Sequence, residues 1–494
     1  MKAGLTTEKL NGGFSTLEIL IAMAILVMVL SAVVLVAFGS QSMLVDSQTN
    51  SEAISKAQEM LEHAQALARK DFKLVNPTSA IADDIYQKKV DVAASSDPLD
   101  FFTKKVTATI SWPAEHGRTL NVKLDALVTN FENASGGDTC NSVLGGDWAH
   151  PNLNSFFVSD MNINSTVAVD VYSRKLYVAI SNANSSTTPT VFIYSLADPS
   201  NPSLADSFDN ADGIKTGVSD LRATDKYLYL AKATGPGSGQ LQIFDNSVSP
   251  PVQVGSDFKV TGATGGGGQA TGNTIFYKDG YVYLGLTATA SGPEFHIIDV
   301  HDPANPFEVG YWPSSGHLGH DINAIYVKGR YVYLAHPIDS AAANIEEVTV
   351  LDISNPTLPQ RVGGYDAPDN AGHGKSLYLV GDTLYLGRTQ TASNPEFYIL
   401  DSSNPASISA TSSQEISSSV NDLIVRDYLA FLITTDSQFQ IWRLDNPSGI
   451  TQYAAPLALP NSGEGSALDC EGNYFYVGSL DSANNAYISV ISAP

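Results

Sequence analysis

Three sets of residues in this chain could do chemistry. Glu18 places a carboxylate at the start of an apolar run, residues 19–38, in which Ser31 is the only polar residue. An ionisable group at the edge of such a run is costly and therefore indicates a function. Cys140 and Cys470 are the only cysteines and could form a disulfide. The third set contains possible metal ligands in loops, namely His317, His320, His373, Asp220, Asp321 and Asp422.

The apolar run at the N-terminus allows several interpretations. Its twenty residues, 19–38, are enough for a helix to cross a bilayer, so a membrane anchor is one interpretation. A cleaved secretory signal is another, although its apolar core normally has about 7–15 residues. Lys2 and Lys9 precede the run and favour a cytoplasmic N-terminus. We therefore expect a single transmembrane segment at about 19–38, followed by a chain that lies outside.

A third interpretation also accounts for Glu18. Residues 13–18 read GFSTLE, and with the apolar run that follows they resemble the class III signal of type IV prepilins and type II secretion pseudopilins. The resemblance implies a leader peptide at 1–13, cleavage between Gly13 and Phe14, and N-methylation of Phe14. It also implies a precursor in the inner membrane and a later location in a pilus or pseudopilus, in the periplasm or at the cell surface.

The same resemblance implies a set of partners. These are the prepilin peptidase, other pilin or pseudopilin subunits, and the inner-membrane assembly platform. Within packed helices a bare carboxylate would be expensive, so we expect Glu18 to pair with the Phe14 amine of a neighbouring subunit. Such a pair would select one axial stagger between subunits.

The elements that follow suggest a stalk. Residues 14–72 are predicted to form one long helix, because apolar residues recur at three- and four-residue spacing: Ile54, Ala57, Leu61, Ala64 and Ala68. Residues 73–131 are predicted to form a small β region, in which 106–112 (VTATISW) and 120–126 (LNVKLDA) alternate as the strands of a hairpin. Together they resemble the layout of minor pilins. Residues 132–149 are predicted to be a linker.

Residues 150–494 contain seven similar units of about 50 residues. Each has two close strands and a third strand, and the matching positions in the second strand are Tyr177, Tyr229, Tyr283, Tyr333, Tyr385, Ala430 and Tyr476. Four third strands end in an aspartate that we interpret as a turn former, namely Asp245, Asp299, Asp352 and Asp401. With a fourth strand, each unit is a propeller blade. The motifs resemble LVIVD-repeat propellers. The predicted fold class is an α+β pilin stalk (long N-terminal helix plus small antiparallel sheet) followed by an all-β seven-bladed propeller.

The last unit ends at Pro494 without a fourth strand. Residues 154–160 precede the first unit and match the fourth strands of other units, so we predict that they close the ring. Cys140 lies just before this strand, and Cys470 lies beside the first turn of the same blade. A Cys140–Cys470 disulfide is therefore expected, with two separate thiols as the alternative.

The loops on the opposite face are expected to mediate binding of a surface ligand, chiefly 181–190 and 315–323. There His317, His320 and His373 could gather with nearby aspartates as a cation site, but capping of the loops is the simpler interpretation. We expect no bound metal and no cofactor. No EF-hand calcium loop is present in the sequence.

Composition narrows the function. The net charge is −24, with 51 acidic and 27 basic residues, which argues against nucleic acid as a partner. Neither a nucleophile elbow nor a phosphate-binding glycine loop is present, so we predict that the chain is not an enzyme. The leading hypothesis is a minor type IV pilin-like subunit that displays a propeller for adhesion or pilus-tip assembly. The alternative is a type II secretion pseudopilin whose propeller meets cargo or channel, and a surface-displayed propeller hydrolase is a third.

Overall fold

The computed structural model describes residues 16–70, 75–94, 103–113, 118–129, 140, 144–160, 166–181, 189–210, 217–233, 239–263, 270–289, 292–313, 319–337, 346–368, 371–392, 394–445 and 449–494. They divide into two compact units. The first comprises Met1–His63, Pro77–Asp91 and Thr107–Ala126, and the second comprises Ala64–Asn76, Val92–Val106 and Leu127–Pro494.

The first unit contains most of the single long helix, α1 (Thr16–Lys70). A four-stranded antiparallel sheet follows in the chain, in the order β1 (Ile81–Asp83), β2 (Tyr86–Ala94), β3 (Thr103–Pro113) and β4 (Thr119–Thr129). The two strands of the predicted hairpin are β3 and β4, whereas β1 and β2 were not predicted.

Small side chains let the helix lie close to the sheet. Ala53 and Ala57 are fully buried and form one cluster with Tyr86, Ile110 and Trp112. Small residues on the helix let its backbone approach the sheet closely, and the large side chains of the sheet fill the remaining space between them.

Ionic contacts complete the first unit at its edge. The Lys56 ammonium lies 2.8 Å from the Asp83 carboxylate, and the Lys88 ammonium lies 2.9 Å from it. Hydrogen bonds from these two lysines lower the pKa of Asp83 to about 2. Asp83 is therefore ionised at any physiological pH and keeps both contacts.

The predicted fold class of an α+β pilin stalk followed by a propeller is corrected by the structure. The described residues hold 33 strands in eight sheets, against one α-helix and one three-residue 3-10 turn at Pro460–Ser462. The described structure is therefore nearly all β, because all but one of its sheets belong to the propeller. The prediction gave too much weight to the N-terminal elements.

The predicted location is corrected as well. A spanning helix needs about 20 consecutive apolar residues. In the part of the chain that the structure describes, no helix is both long and apolar enough to cross a membrane. This finding contradicts the predicted transmembrane segment at 19–38 and the single-pass inner-membrane precursor.

The second unit contains seven blades, of which six have four strands and one has five. Blade 1 consists of β6 (Val167–Tyr172), β7 (Lys175–Ile180), β8 (Val191–Ser195) and β9 (Ser203–Phe208). Blade 2 consists of β10 (Val218–Ala223), β11 (Tyr227–Lys232), β12 (Leu241–Asp245) and β13 (Val252–Gln253). Blade 3 consists of β14 (Gly272–Lys278), β15 (Tyr281–Leu286), β16 (Phe295–Asp299) and β17 (Phe307–Trp312).

Blades 4 to 6 continue the pattern. Blade 4 consists of β18 (Ala324–Lys328), β19 (Tyr331–Ala335), β20 (Val348–Asp352) and β21 (Gln360–Tyr365). Blade 5 consists of β22 (Gly374–Val380), β23 (Thr383–Arg388), β24 (Phe397–Asp401) and β25 (Ser409–Gln414). Blade 6 consists of β26 (Val420–Arg426), β27 (Leu429–Thr434), β28 (Gln438–Arg443), β29 (Thr451–Gln452) and β30 (Leu457–Ala458), the last two both pairing with β28.

Blade 7 closes the ring by combining the first and the last strands of the propeller. Its strands are β31 (Glu464–Glu471), β32 (Tyr474–Leu480), β33 (Asn485–Ser492) and β5 (Asn152–Asp160), in that order. The predicted closing strand, 154–160, thus lies within β5 and pairs antiparallel with β33. The innermost strands contact each other in the cyclic order β6, β10, β14, β18, β22, β26, β31 and back to β6.

A covalent bond reinforces this closure. Cys140 and Cys470 form a disulfide across 330 positions of sequence, with their Cα atoms 5.2 Å apart. Both residues are buried in the core of blades 6 and 7. Cross-linking so long a loop removes much entropy from the unfolded chain, on the order of 5 kcal/mol at 25 °C in the chain-entropy account.

The segment that enters the propeller is anchored. Trp148 is buried and packs edge-on against Phe431 and Phe475, with ring centroids 5.1 and 5.3 Å away. The Leu144 and Gly145 amides donate to Asp427 and Asn473, which lie in the turns of blades 6 and 7. The predicted linker, 132–149, is therefore held to the propeller from at least residue 144 onward. The presence of Trp148 in that stretch of the sequence was the signal that it packs against the propeller.

The predicted turn-forming aspartates have that role. The side chain of each accepts a hydrogen bond from the backbone N–H two residues later, at 2.8 to 2.9 Å. In Asp245, Asp352 and Asp401 a nearby serine hydroxyl also contributes and lowers the pKa of the carboxyl. This Asx turn ends the third strand and starts the path to the fourth.

One predicted repeat position is wrong by a residue. In blade 2 Tyr229 pairs with Arg222, and the matching pair in blade 6 is Phe431 with Ile424. Both hairpins span seven residues between the paired positions, from Arg222 to Tyr229 and from Ile424 to Phe431, so Ala430 lies one residue before the matching position. Every blade therefore has an aromatic residue at this position.

Glu471 is an exception to the usual pairing of buried polar groups. Its side chain is 1% exposed, and neither carboxylate oxygen has a hydrogen-bond partner among the described residues. Burial raises its pKa from 4.5 to about 7, and the charge of Arg174 opposes this only in part. The folded protein therefore retains a proton that the unfolded chain releases.

We predict that Glu471 makes the protein less stable as the pH rises. Below pH 4.5 the group is protonated in both states and has no effect. Between about pH 4.5 and 7 the unfolded state ionises first, so the free energy of unfolding falls, by on the order of 3 kcal/mol above pH 7. Glu471→Gln should remove this loss and raise the urea midpoint at pH 8 relative to wild type.

The control is Glu464→Gln, because Glu464 is an exposed glutamate on the same strand. It should follow the wild-type pH profile. Equal pH profiles for Glu471→Gln and wild type would show that the carboxyl is solvated in solution.

Candidate ligand-binding channel

A channel runs along the axis of the propeller, lined by all seven innermost strands, and has a volume of about 1840 Å³. One layer of its wall is formed by the residues that pair with the second-strand aromatic position. These residues are Asp170, Arg222, Phe276, Tyr326, Tyr378, Ile424 and Asp469. The blades are alike in backbone, but this layer differs from blade to blade.

A second layer lies one pleat away and is built on β-bulges. In five inner strands the pairing with the second strand slips by one residue. The residues at the slip are polar in every case, namely Ser219, Asn273, Lys375, Asn421 and Ser466. A bulge redirects a side chain that would otherwise follow the alternation of the strand.

Several of these side chains bind the next blade. The Asn273 amide donates to Ile322 O at 2.8 Å, and the Asn421 amide donates to Gly465 O at 2.8 Å. The Lys375 ammonium donates to the Asn421 side chain at 3.1 Å, which joins blades 5 and 6.

Four aspartates form an acidic arc on blades 6, 7, 1 and 2, which are consecutive because the ring closes. They are Asp422, Asp469, Asp170 and Asp220, and all four line the channel. Each accepts a backbone N–H from the inner strand of the following blade, at 2.6 to 2.9 Å. The arc therefore has a structural role, since it joins neighbouring blades from inside the ring.

Arg222 is the cation within this arc. Its guanidinium lies 3.1 Å from the Asp220 carboxylate and 3.7 Å from the Asp170 carboxylate. Burial by itself would lower the pKa of Arg222, but the charges of Asp220, Asp170, Asp469 and Asp422 outweigh it and raise that pKa. One guanidinium thus faces four carboxyl groups.

Asp422 is the member of the arc that titrates near neutrality. Burial raises its pKa to about 7, although the Leu468 and Leu423 amides and the charge of Arg222 act in the opposite direction. The acidic arc therefore gains negative charge as the pH rises through 7.

The other side of the channel is an aromatic arc, which we define as Phe276, Tyr326 and Tyr378 on blades 3, 4 and 5. The ring centroids of Phe276 and Tyr326 are 5.5 Å apart, and those of Tyr326 and Tyr378 are 6.1 Å apart. All three residues line the channel and are partly exposed to it. The wall thus has two halves of different chemistry.

The residues of the possible cation site lie in different surroundings. Asp220 and Asp422 lie in the acidic arc, whereas Asp321 accepts the Ala288 amide at 2.7 Å as a loop cap. His320 and His373 lie close enough for the charge of His320 to lower the pKa of His373, behind the larger effect of burial. His317 falls outside the described residues, as do residues 182–188 and 315–318 of the two predicted binding loops.

A third histidine near this pair, His336, is fully buried and occupied on both nitrogens. Its Nδ1–H donates to Pro337 O at 3.1 Å, and its Nε2 accepts from the Thr349 hydroxyl at 2.9 Å. Burial lowers its pKa to about 4, so it is neutral at physiological pH.

Within the described residues one group of three potential metal ligands comes together, at Cys140, Asp469 and Cys470. Both sulfurs are in the disulfide, so no thiolate is available. Asp469 accepts the amides of Val171 and Cys470. The donor set does not suit a metal ion.

Gly13 and Phe14 precede the described residues, and Glu18 lies in α1 with its side chain undescribed. The predicted cleavage, methylation and assembly roles of these residues therefore stay predictions.

Comparison with known proteins supports the propeller. Residues 321–367, which span blade 4, match the LVIVD repeat family. A search of curated proteins finds no match to the chain. The sequence comparisons therefore identify a repeat within the propeller and provide no relative of known activity.

Among solved structures, the mitotic checkpoint complex aligns at 12% identity and a TM-score of 0.48, over 69% of this chain and 94% of that chain. An inactive virginiamycin B lyase from Staphylococcus aureus aligns at 11% identity and a TM-score of 0.48, over 70% of this chain and 100% of that chain. The WD40 propeller domain of Doa1 aligns at 13% identity and a TM-score of 0.44, over 70% of this chain and 98% of that chain. These levels of similarity carry no inference about function.

We predict that Arg222 offsets the repulsion within the acidic arc. Arg222→Met should lower the free energy of unfolding at pH 8 by about 2–4 kcal/mol, since it leaves the carboxylates without their cation. The loss should be smaller at pH 5, where Asp422 is protonated in the folded state. Urea unfolding at the two pH values measures both effects.

Arg443→Met is the matched control, because Arg443 pairs with Asp445 at 2.6 Å on the exposed outside of blade 6. Exposed pairs contribute little, roughly 0–1 kcal/mol. A pH-independent loss in Arg222→Met, equal to that of the control, would contradict a role in the arc.

Proposed function

We propose that this chain is a non-enzymatic binding protein of the minor-pilin kind, in which the propeller is the binding module and its axial channel is the binding site. The observation that carries the proposal is the two-sided channel. A closed ring needs only packing and hydrogen bonds between blades, and the acidic arc provides such hydrogen bonds between four pairs of neighbouring blades. The aromatic arc leaves large rings partly exposed in a concave site, which is typical of a binding surface.

The position of the entering chain supports this role. Residues 144–148 lie against the turns of blades 6 and 7, on the face where first and second strands connect. The opposite mouth, near Asn323 and Lys375, lies at the other end of the inner strands. A ligand could approach that mouth without meeting the entering segment.

The assembly part of the proposal rests on the GFSTLE motif and on the surface of α1. Between Ile21 and Leu30 the structure describes eight large apolar side chains that are at least half exposed. An apolar surface of this kind usually marks a contact with another molecule. Helices of other pilin-like subunits would cover it, as they do in the prepilin family.

We predict that processing follows the prepilin pattern. Gly13→Ala should leave a chain that keeps residues 1–13, whereas wild type should begin at a methylated Phe14. Gly12→Ala is the matched control and should be processed normally, because the resemblance places the cut after Gly13. Intact-mass measurement of the full-length protein decides between these outcomes, and an intact N-terminus in mature wild type would refute the pilin assignment.

We predict that ligand binding depends on the channel. Cells that produce the full-length Tyr326→Leu/Tyr378→Leu variant should lose most of their adhesion, while the amount of filament stays near wild type. The control is Leu204→Ser/Phe307→Ser, which changes exposed apolar residues on outer strands. Loss of adhesion in the control alone would place binding on the outside of the propeller. Normal adhesion with loss of secreted cargo in a deletion strain would favour the pseudopilin alternative.

A further inference from the structure

We infer that the axial channel recognises a guanidinium or ammonium group on a peptide segment, seated between the acidic arc and the aromatic arc. This inference rests on the proposed role of the channel as the binding site. It adds the chemical class of the ligand, which three observations support.

The first observation is the charge of the wall. The acidic arc places four carboxyl groups on consecutive blades, and Arg222 supplies one positive charge among them. The arc therefore keeps a net negative charge even when Asp422 is protonated. In a concave site with low-dielectric walls such a charge attracts cations more strongly than it would on an open surface.

The second observation is the aromatic arc. Its three rings follow one another on adjacent blades, with centroids 5.5 and 6.1 Å apart. Aromatic faces attract cations within about 6 Å of the ring centre, and they also cover the aliphatic stem of a lysine or arginine. An inorganic ion has no aliphatic stem for these rings to cover, whereas an alkyl guanidinium would use both halves of the wall.

The third observation is Arg222 itself. Its guanidinium donates to the Asp220 carboxylate at 3.1 Å and to Leu221 O at 2.7 Å, and the residue lines the channel. The arc thus already accommodates a planar cation on an apolar chain. Among the described residues no three of its carboxylates come close enough to share one ion, which disfavours calcium.

The size of the channel points to a peptide. A volume of about 1840 Å³ exceeds the roughly 300–1,000 Å³ of sites that enclose small ligands. A lysine or arginine on a loop or chain terminus could enter from the mouth near Asn323 and Lys375 with its neighbouring residues.

The test uses the full-length protein and N-acetyl-arginine amide as the probe, with N-acetyl-citrulline amide as its neutral isostere. Titration is followed by saturation-transfer NMR and calorimetry at low salt. We expect saturable binding of the arginine probe, no binding of the citrulline probe, and about tenfold weaker affinity when salt is raised from 50 to 500 mM.

Two variant pairs locate the site. Asp170→Asn/Asp469→Asn keeps an oxygen acceptor for the Ala223 and Val171 amides, so it should fold while it removes two charges. Tyr326→Leu/Tyr378→Leu removes two rings, and Tyr326→Phe/Tyr378→Phe restores them. We expect about tenfold weaker binding in the first two pairs and near wild-type binding in the phenylalanine pair. If the leucine pair does not fold, the comparison of the asparagine pair with wild type decides.

Equal binding of arginine and citrulline probes, or unchanged affinity in the asparagine pair, would overturn the inference. It would also be overturned by tighter binding of an acidic probe, N-acetyl-glutamate amide. The failure of this inference can be distinguished from the failure of the proposed function. If the leucine pair loses adhesion but wild type does not bind the arginine probe, the channel remains the binding site and only the ligand class is rejected.

Discussion

The pairing of β5 with β33 is the interaction on which the rest of the propeller depends. Seven blades form a ring only if the last one receives its outer strand from the start of the propeller, and the nine-residue strand β5 provides it. Without that pairing β33 would present an open edge, and the cyclic contact between β31 and β6 would lose its support. The Cys140–Cys470 disulfide and the buried Trp148 act at the same blade, so covalent, hydrogen-bonded and apolar contacts all reinforce one seam.

The ring is also held from inside. Polar side chains of the inner strands bind the next blade, and the residue used differs from blade to blade: aspartate, asparagine, lysine or serine. This variety is permitted because the geometry requires only a donor or an acceptor at that point. The binding properties of the channel could therefore vary without loss of the closure.

Much of this architecture could be predicted from the sequence, because the aromatic position of the second strand repeats at intervals of about 50 residues. The closing strand followed from the missing fourth strand after residue 492. The polar layer at the bulges could not be predicted, because a β-bulge reverses the side-chain alternation and leaves no mark in the hydropathy pattern. The layer that contains Arg222, Phe276 and Tyr326 could not be predicted either, because these residues look like ordinary members of regular strands. Similarly, β1 and β2 were missed because Asp83, Lys88 and Lys89 interrupt any apolar alternation, and the N-terminal elements were given too large a share of the fold class.

The division of the channel into two halves has a consequence for how a ligand is oriented. On the axis of a ring with seven equal blades, a bound group would have seven equivalent rotational settings. These settings would contribute an orientational term TΔS of about RT ln 7, or about 1.1 kcal/mol, to the free energy. Placing carboxylates on four consecutive blades and rings on the other three leaves a single favoured setting. The repeat builds a symmetric ring, and the differences between its blades make the channel asymmetric. The channel therefore selects the rotation of a ligand about the axis as well as its depth.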